Sequence, residues 1–437
     1  MTGSSAKRKE LFPIQKAHSG VLLKAIQQYR AGLDASVTGA GKTLVACDIA
    51  NKLKKPAFVV CPKVSVPMWE RELGAQGCDW YGVTNYEKLR TGKEDYGSWA
   101  DGLKKIWRWH LPEDTLIIWD EVQRAKGMNS QNGRMFWTSK PYNVLCLSAT
   151  AAKDPTEMKG LGYILGLHQL RNFWSWALKN GCRHDKWFGG LKFSGADEDI
   201  ARLHAQIFPE HGSRLSFADM AEYFQETEIV TTPLDFGPEV KEAYVEMEQE
   251  LQELAKQKAE DSTHAEALTI RLRARQKVEL LKVPYMVEMT LAMLAEGRSV
   301  VLFVNFTQTI LALKERLSSV YDVGIIAGFD TKNRQKYIDD FAVDKLRVMI
   351  ANSQAGGVSL NLHDTIGKFP RASIISPSDN EKDIIQDLGR IHRAFGATPT
   401  QQFVLFAADT IEEEVEQNCS MKRKRIEIFN DGLTNNI

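Results

Sequence analysis

The sequence predicts an α/β protein with two tandem parallel-sheet lobes and helical segments inserted between them. Three observations carry that prediction. Short continuous apolar runs, such as Ala57–Cys61, Leu116–Trp119 and Val300–Val304, recur in both halves of the chain. Runs of this length bounded by polar turns suit strands buried on both faces of a parallel sheet. Segments of helical apolar spacing alternate with them, as expected where helices cover both faces. The small-residue stretch Ser36-Val37-Thr38-Gly39-Ala40-Gly41-Lys42-Thr43 precedes the helical pattern Leu44–Ala50.

At 437 residues the chain is too long for one ordinary core. The pattern divides it into a first lobe over 1–155, a helical extension of that lobe over 156–231, a helical protrusion over 232–297 and a second lobe over 298–437. Apolar residues make up 43% and charged residues 26%, the balance of a globular protein. No apolar run is long enough to span a bilayer, and Met1–Lys9 lacks the apolar core of a signal peptide. Six scattered cysteines (Cys47, Cys61, Cys78, Cys146, Cys182 and Cys419) include no C-x-x-C pair and have no histidine at ligand spacing. They argue against a metal cluster or disulfide framework and point to a reducing cytoplasm. The formal net charge is zero, so any nucleic-acid surface must be local.

Taken in order, the first lobe opens with Gln15 ahead of a helical segment from Val21 to Tyr29. Gln15 could fold back to an adenine edge, or be only a polar residue before a helix. In Ser36–Thr43 the small residues leave successive backbone N–H groups open, and the following helix presents its positive end. Together these form a cradle for phosphate oxygens. Lys42 would reach the β- and γ-phosphates, and the Thr43 hydroxyl would hold Mg2+. Strand Ala57–Cys61 ends at Pro62 and Lys63, with Trp69 following, on the side where open α/β sheets place ligands. The turn Gly82–Glu87, with Thr84, occupies a similar place. Strand Leu116–Trp119 ends in Asp120-Glu121, two carboxylates suited to separate tasks. Asp120 would hold Mg2+ and Glu121 would orient and deprotonate the attacking water. Ser148-Ala149-Thr150, ending another strand, suits a coupling element.

From Ala151 to Thr231 the pattern is helical and irregular. Trp174, Trp176 and Trp187 are interleaved there with Lys179, Arg183, His184, Lys186 and Lys192. Most of these rings read as the core of a helical subdomain, with stacking on nucleobases as the alternative. Pro238–Gly297 reads as helical and solvated, with a basic cluster at Arg271, Arg273, Arg275 and Lys277. The second lobe follows as Val300–Val304 with Asn305, the helix Thr307–Leu317, the strand Gly324–Gly328, and Arg347–Ala351 running into Ser353–Gly357. Strand Ala372–Ile375 precedes a helix bearing Gln386, Arg390 and Arg393. The two arginines share one helix face. They suit arginine fingers for a γ-phosphate, and the spacing fits a pair of surface salt bridges equally well.

These parts, in this order, resemble the superfamily 2 helicases, and within them the Swi/Snf-type DNA translocases. The resemblance runs from Gln15 to about Lys424. It is carried by T-G-A-G-K-T, V-V-C-P-K with Trp69, V-T-N-Y-E, W-D-E-V-Q, L-S-A-T, A-G-G-V-S-L-N-L and Q-D-L-G-R-I-H-R. It implies two RecA-like P-loop lobes with ATP and Mg2+ in the cleft between them and a C-terminal brace helix. ATP would be bound by Gln15, Thr38, Gly39, Ala40, Gly41, Lys42, Thr43 and Gly357. Catalysis would fall to Lys42, Asp120, Glu121, Arg390 and Arg393, with coupling through Gln123, Ser148, Thr150 and Gln386. Nucleic acid would touch Pro62, Lys63, Thr84, Asn305, Ser353 and Gly356. In this class a monomeric motor tracks duplex or forked DNA in replication, recombination or repair. An RNA helicase and a recruiting module with a vestigial ATPase are the competing readings. The chain departs from the family pattern at Val122-Gln123 (commonly Ala-His), Ser359 (commonly Gly) and Ala394-Phe395-Gly396 (commonly Ile-Gly-Gln). With no chromatin-reading, nuclease or zinc module, it is expected to be a minimal phage, bacterial or viral motor. The helical run Arg271–Gly297 resembles the fork-remodelling, strand-annealing branch.

Overall fold

The computed structural model describes residues 8–100, 106–185, 190–231, 233–257, 260–353, 360–378, 381–408, 410, 412 and 424–431. The chain forms two compact units, one of residues 1–221 with 422–437 and one of residues 222–421.

In the first unit, helix α1 (Pro13–Tyr29) starts at a proline, whose missing N–H costs nothing in a first turn. It leads into β1 (Ala31–Asp34), and helix α2 (Lys42–Leu53) follows the small-residue loop. Strands β2 (Ala57–Cys61), β3 (Trp80–Asn85), β4 (Leu116–Asp120), β5 (Asn143–Leu147) and β6 (Gly212–Ser213) complete a parallel sheet of order β6-β1-β5-β4-β2-β3. Successive side chains of β2 enter opposite cores. Phe58 and Val60 join Ile117, Trp119, Val144 and Cys146 on one face. Ala57, Val59 and Cys61 join Leu116, Ile118, Leu145 and Leu147 on the other. Two covered faces explain why these strands read as unbroken apolar runs. The described cysteines Cys47, Cys61, Cys78, Cys146 and Cys182 are free and buried; Cys419 lies outside the described residues.

The second unit repeats the design with β7 (Thr227–Val230), β8 (Ser299–Val304), β9 (Val323–Ile326), β10 (Val348–Asn352), β11 (Arg371–Ile375) and β12 (Thr400–Val404), all parallel in the order β7-β12-β11-β8-β10-β9. Val300, Leu302 and Val304 face one core, and Val301 and Phe303 the other. The stretch expected to be a solvated protrusion forms the helices Pro238–Gln257, Glu260–Leu281 and Val283–Ala295, whose Val240, Tyr244, Met247, Val278 and Met286 are buried in the second unit's core. Lys282 ties it down in a buried ion pair with Glu412, whose carboxylate also accepts from Tyr244 Oη (2.7 Å) and Ala407 N (2.6 Å).

Two boundaries differ from the sequence-based expectation. The stretch 156–231 is more than a helical extension: Gly212–Ser213 adds an edge strand to the first sheet and Thr227–Val230 one to the second. Strands of two and four residues are too short to show periodicity. The closing helix over 424–431 packs on the first unit instead of belonging to the 298–437 lobe. Phe429 is fully buried in the first unit's core, and Arg214 pairs with Asp431.

Candidate active site

The phosphate-loop candidate hangs from the end of β1. Asp34, fully buried, accepts from Ser36 N (2.9 Å), and His18 Nε2 of α1 lies 3.2 Å from the same carboxylate oxygen. Burial pushes this carboxyl up, but His18, Lys42 and Ser36 outweigh it and hold it below the ordinary range. Ser36 stands where glycine is usual, and its side chain has a use there. Its Oγ accepts from Leu215 N (3.0 Å) and lies 3.2 Å from His18 Nε2.

Gly39 and Gly41 both have left-handed backbones, with φ of 88° and 85°. A Cβ on Gly41 would come within 2.6 Å of Gln15 Nε2. Gln15 is buried beneath the loop, donating to Ala40 O (2.8 Å) and accepting from Phe12 N (3.0 Å). Lys42 Nζ donates to Ser36 O (2.8 Å) and Val37 O (3.1 Å). Thr38, Gly39, Lys42 and Thr43 are half-buried, with Lys42 and Thr43 opening α2. The set fits a nucleotide: glycines that leave amides uncovered, a helix N-terminus and an ammonium at one turn. Lys42 would meet the β- and γ-phosphates. Thr43 and Asp120 would hold Mg2+, which supplies charge neutralisation on the phosphoryl oxygens.

At the end of β4, Asp120 Oδ2 accepts from Trp69 Nε1 (2.9 Å). Glu121 has φ of 57°, a strained conformation for a side-chain-bearing residue. The Tyr86 hydroxyl braces this turn, contacting Asp120 O (2.8 Å) and Glu121 O (3.2 Å). Gln123 donates its amide to the Glu121 carboxylate. Burial, followed by the neighbouring Asp120, pushes Glu121 up to about 7. Burial also raises Asp120, against the Trp69 hydrogen bond and the Lys42 charge. A carboxylate tuned near neutrality suits a general base. The coupling candidates are close by: Ser148 N donates to Asp34 O (3.0 Å), and Thr150 N donates to Ser148 Oγ (3.0 Å).

In the second unit, Arg390 is 1% exposed and its Nε donates to Asp387 Oδ1 (2.9 Å). This is a buried pair, unlike the surface salt bridge that the spacing allowed. Arg393 Nη2 donates to Leu360 O (3.0 Å). Gln386 is half-buried on the same helix. Gly356 and Gly357 lie outside the described residues.

The remaining nucleic-acid candidates differ in access. Lys63 is exposed and Asn305 half-buried, whereas Pro62, Thr84 and Ser353 are buried. Thr84 Oγ1 donates to Glu94 (2.5 Å). Asn305 is held by Glu279, which accepts from Asn305 N (3.0 Å), Asn305 Nδ2 (2.8 Å), Phe306 N (3.1 Å) and Ser376 Oγ (2.6 Å). Sequence reasoning missed Glu279, Tyr86, His18 and Asp34 as site residues. Trp69 and Tyr86 lay within the quoted motifs, while His18 and Glu279 left no local signal.

Residues 279–395 match the helicase conserved C-terminal domain. The chain is 28% identical, over 99% of its own length and 85% of the relative's, to a protein of Acanthamoeba polyphaga mimivirus provisionally named an ATP-dependent RNA helicase. It is similar to the Sulfolobus solfataricus SWI2/SNF2 ATPase core in complex with dsDNA, at 16% identity and TM-score 0.38, over 98% of this chain and 93% of that one. Paired RecA-like units with a phosphate loop and an acidic strand end define an ATP-hydrolysing P-loop enzyme. The matched region, 279–395, and the viral relative are both described as helicase.

Proposed function

We propose that the protein is a Swi/Snf-type translocase that couples ATP hydrolysis to movement along nucleic acid, with duplex or forked DNA as its track in replication, recombination or repair. The observation that carries this reading is Lys42, Asp120 and Glu121 gathered in one electrostatic neighbourhood, where burial raises both carboxyls and the Lys42 charge opposes it. Glu121 would take the proton of the attacking water as its oxygen bonds the γ-phosphorus and the bond to the β–γ bridging oxygen breaks, releasing ADP and phosphate. Lys42 would offset charge on the transferred phosphoryl, and the reading gives Arg390 and Arg393 a share in that stabilisation. Trp69 holds the Asp120 carboxylate, Gln123 holds that of Glu121, and Tyr86 holds the backbone carbonyls of both. The motif set, above all V-T-N-Y-E, W-D-E-V-Q and Q-D-L-G-R-I-H-R, supports DNA over RNA. RNA is the second reading, favoured by the name of the mimivirus relative. ATP hydrolysis with single-stranded, duplex, forked and four-way DNA, and with RNA of equal length, separates them. The expected order puts duplex or forked DNA first. Stronger stimulation by RNA would replace this reading with the second.

A further inference from the structure

The segment between Ser148–Thr150 and the second unit carries aromatics that divide cleanly in the structure. On the helix Phe173–Lys179, Phe173 and Ala177 are buried with Cys182, and Trp176 packs inward with its Nε1 donating to Gln206 (3.2 Å). Trp174 points the other way and is 42% exposed. Its ring lies almost parallel to that of His184, with centroids 5.4 Å apart and 26° between planes. His184 is itself exposed, on the antiparallel hairpin Cys182–His184/Leu191–Phe193.

The hairpin's own charge is basic, and the acidic run Asp197–Asp199 opens the helix that follows it. Between 171 and 195 the sequence has five lysines and arginines against one carboxylate, Asp185, in a chain of zero net charge. Arg183 and Lys192 stand directly opposite each other across the hairpin, and both are exposed. Like charges in that position destabilise a ribbon unless an anion joins them. Arg183 is bonded to Ser194, through both its hydroxyl and its carbonyl. An outward aromatic face beside exposed cations is the chemistry that holds a single nucleic-acid strand. The ring stacks a base of any sequence and the cations meet the phosphates.

We propose that Trp174, backed by His184 and flanked by Arg183 and Lys192, is an accessory site for an unpaired nucleotide strand beside the duplex that the motor tracks. The proposal rests on the reading of the protein as a nucleic-acid motor and deepens it. It makes junctions between paired and unpaired strands the preferred ligand. Stacking is blind to the sugar, so the strand is DNA or RNA by this chemistry.

The test uses the full chain and compares affinity for a blunt DNA duplex with that for the same duplex carrying a single-stranded DNA or RNA flap. Trp174→Ala should weaken flap binding about tenfold and leave blunt-duplex binding unchanged, whereas Trp174→Phe should keep the flap preference. Arg183→Ala with Lys192→Ala should lower the salt slope of flap binding by roughly one to two. Loss with either flap supports the site, and the flap affected identifies the strand. Unaltered flap binding by folded Trp174→Ala, or equal loss on the blunt duplex, would overturn it. ATPase stimulation by the blunt duplex in the wild type reports separately on the motor reading. Its absence would sink that reading while the flap comparison still decides the site.

Discussion

At the scale of single residues, the acidic turn makes the sharpest commitments. Glu121→Gln keeps the shape of the side chain and removes the base. ATP hydrolysis should fall by about 10²-fold or more while nucleotide binding persists, which steady-state turnover and equilibrium binding would check together. Trp69→Phe removes the indole N–H that holds Asp120 and leaves a buried carboxylate short of a donor, at a cost of about 1–3 kcal/mol. A titration of turnover against Mg2+ should then shift to higher metal concentration. Lys42, Asp120 and Glu121 were legible in the sequence because phosphate chemistry demands those types at those strand and helix ends. The bonds from Trp69 and Tyr86 were not, since each joins residues that only the folded sheet brings together. Ser36 stands where glycine is usual, and only its contacts with His18 and Leu215 show what it does.

Among the elements, strands covered on both faces could be read directly. Ala57–Cys61 and Ser299–Val304 lie within a residue of their expected limits because a continuous apolar run has one stable place in a parallel sheet. The short edge strands Gly212–Ser213 and Thr227–Val230 escaped notice because neither is long enough to alternate visibly. The helical protrusion was legible as helix, but its anchor was not. Lys282 and Glu412 are both nearly inaccessible, and their charges neutralise each other at the base of the protrusion. Lys282→Met would leave the buried Glu412 carboxylate without its cation, while Tyr244 and Ala407 still donate to it. Urea unfolding of the second unit should show a loss of about 3–5 kcal/mol. A change below about 1 kcal/mol would mean that the pair is peripheral to stability.

For the whole molecule, the two-unit plan was legible from the repeated strand runs, and the chain path at its close was not. Residues 424–431 return to the first unit through Phe429, whose partners lie in the distant helix Asp197–Ile207. Stability should also respond to acid through His363. Burial first, then Arg393 and Arg371, push this imidazole down to about 4. The unfolded chain protonates it near its ordinary value of about 6.5, so from there to about pH 4 the unfolded state binds more protons and stability falls as pH falls. Its share of the loss from about pH 7 to about pH 5 is about 2 kcal/mol, and His363→Gln should flatten that slope in chemical denaturation. The central claim, a nucleic-acid-driven ATPase working through the phosphate loop and Glu121, is tested most directly by steady-state ATP hydrolysis with and without duplex DNA. The wild type should be slow alone and strongly stimulated by the duplex, and Lys42→Ala and Glu121→Gln should be inert in both conditions. Wild-type hydrolysis indifferent to every nucleic acid, or full stimulated turnover in either variant, would contradict it.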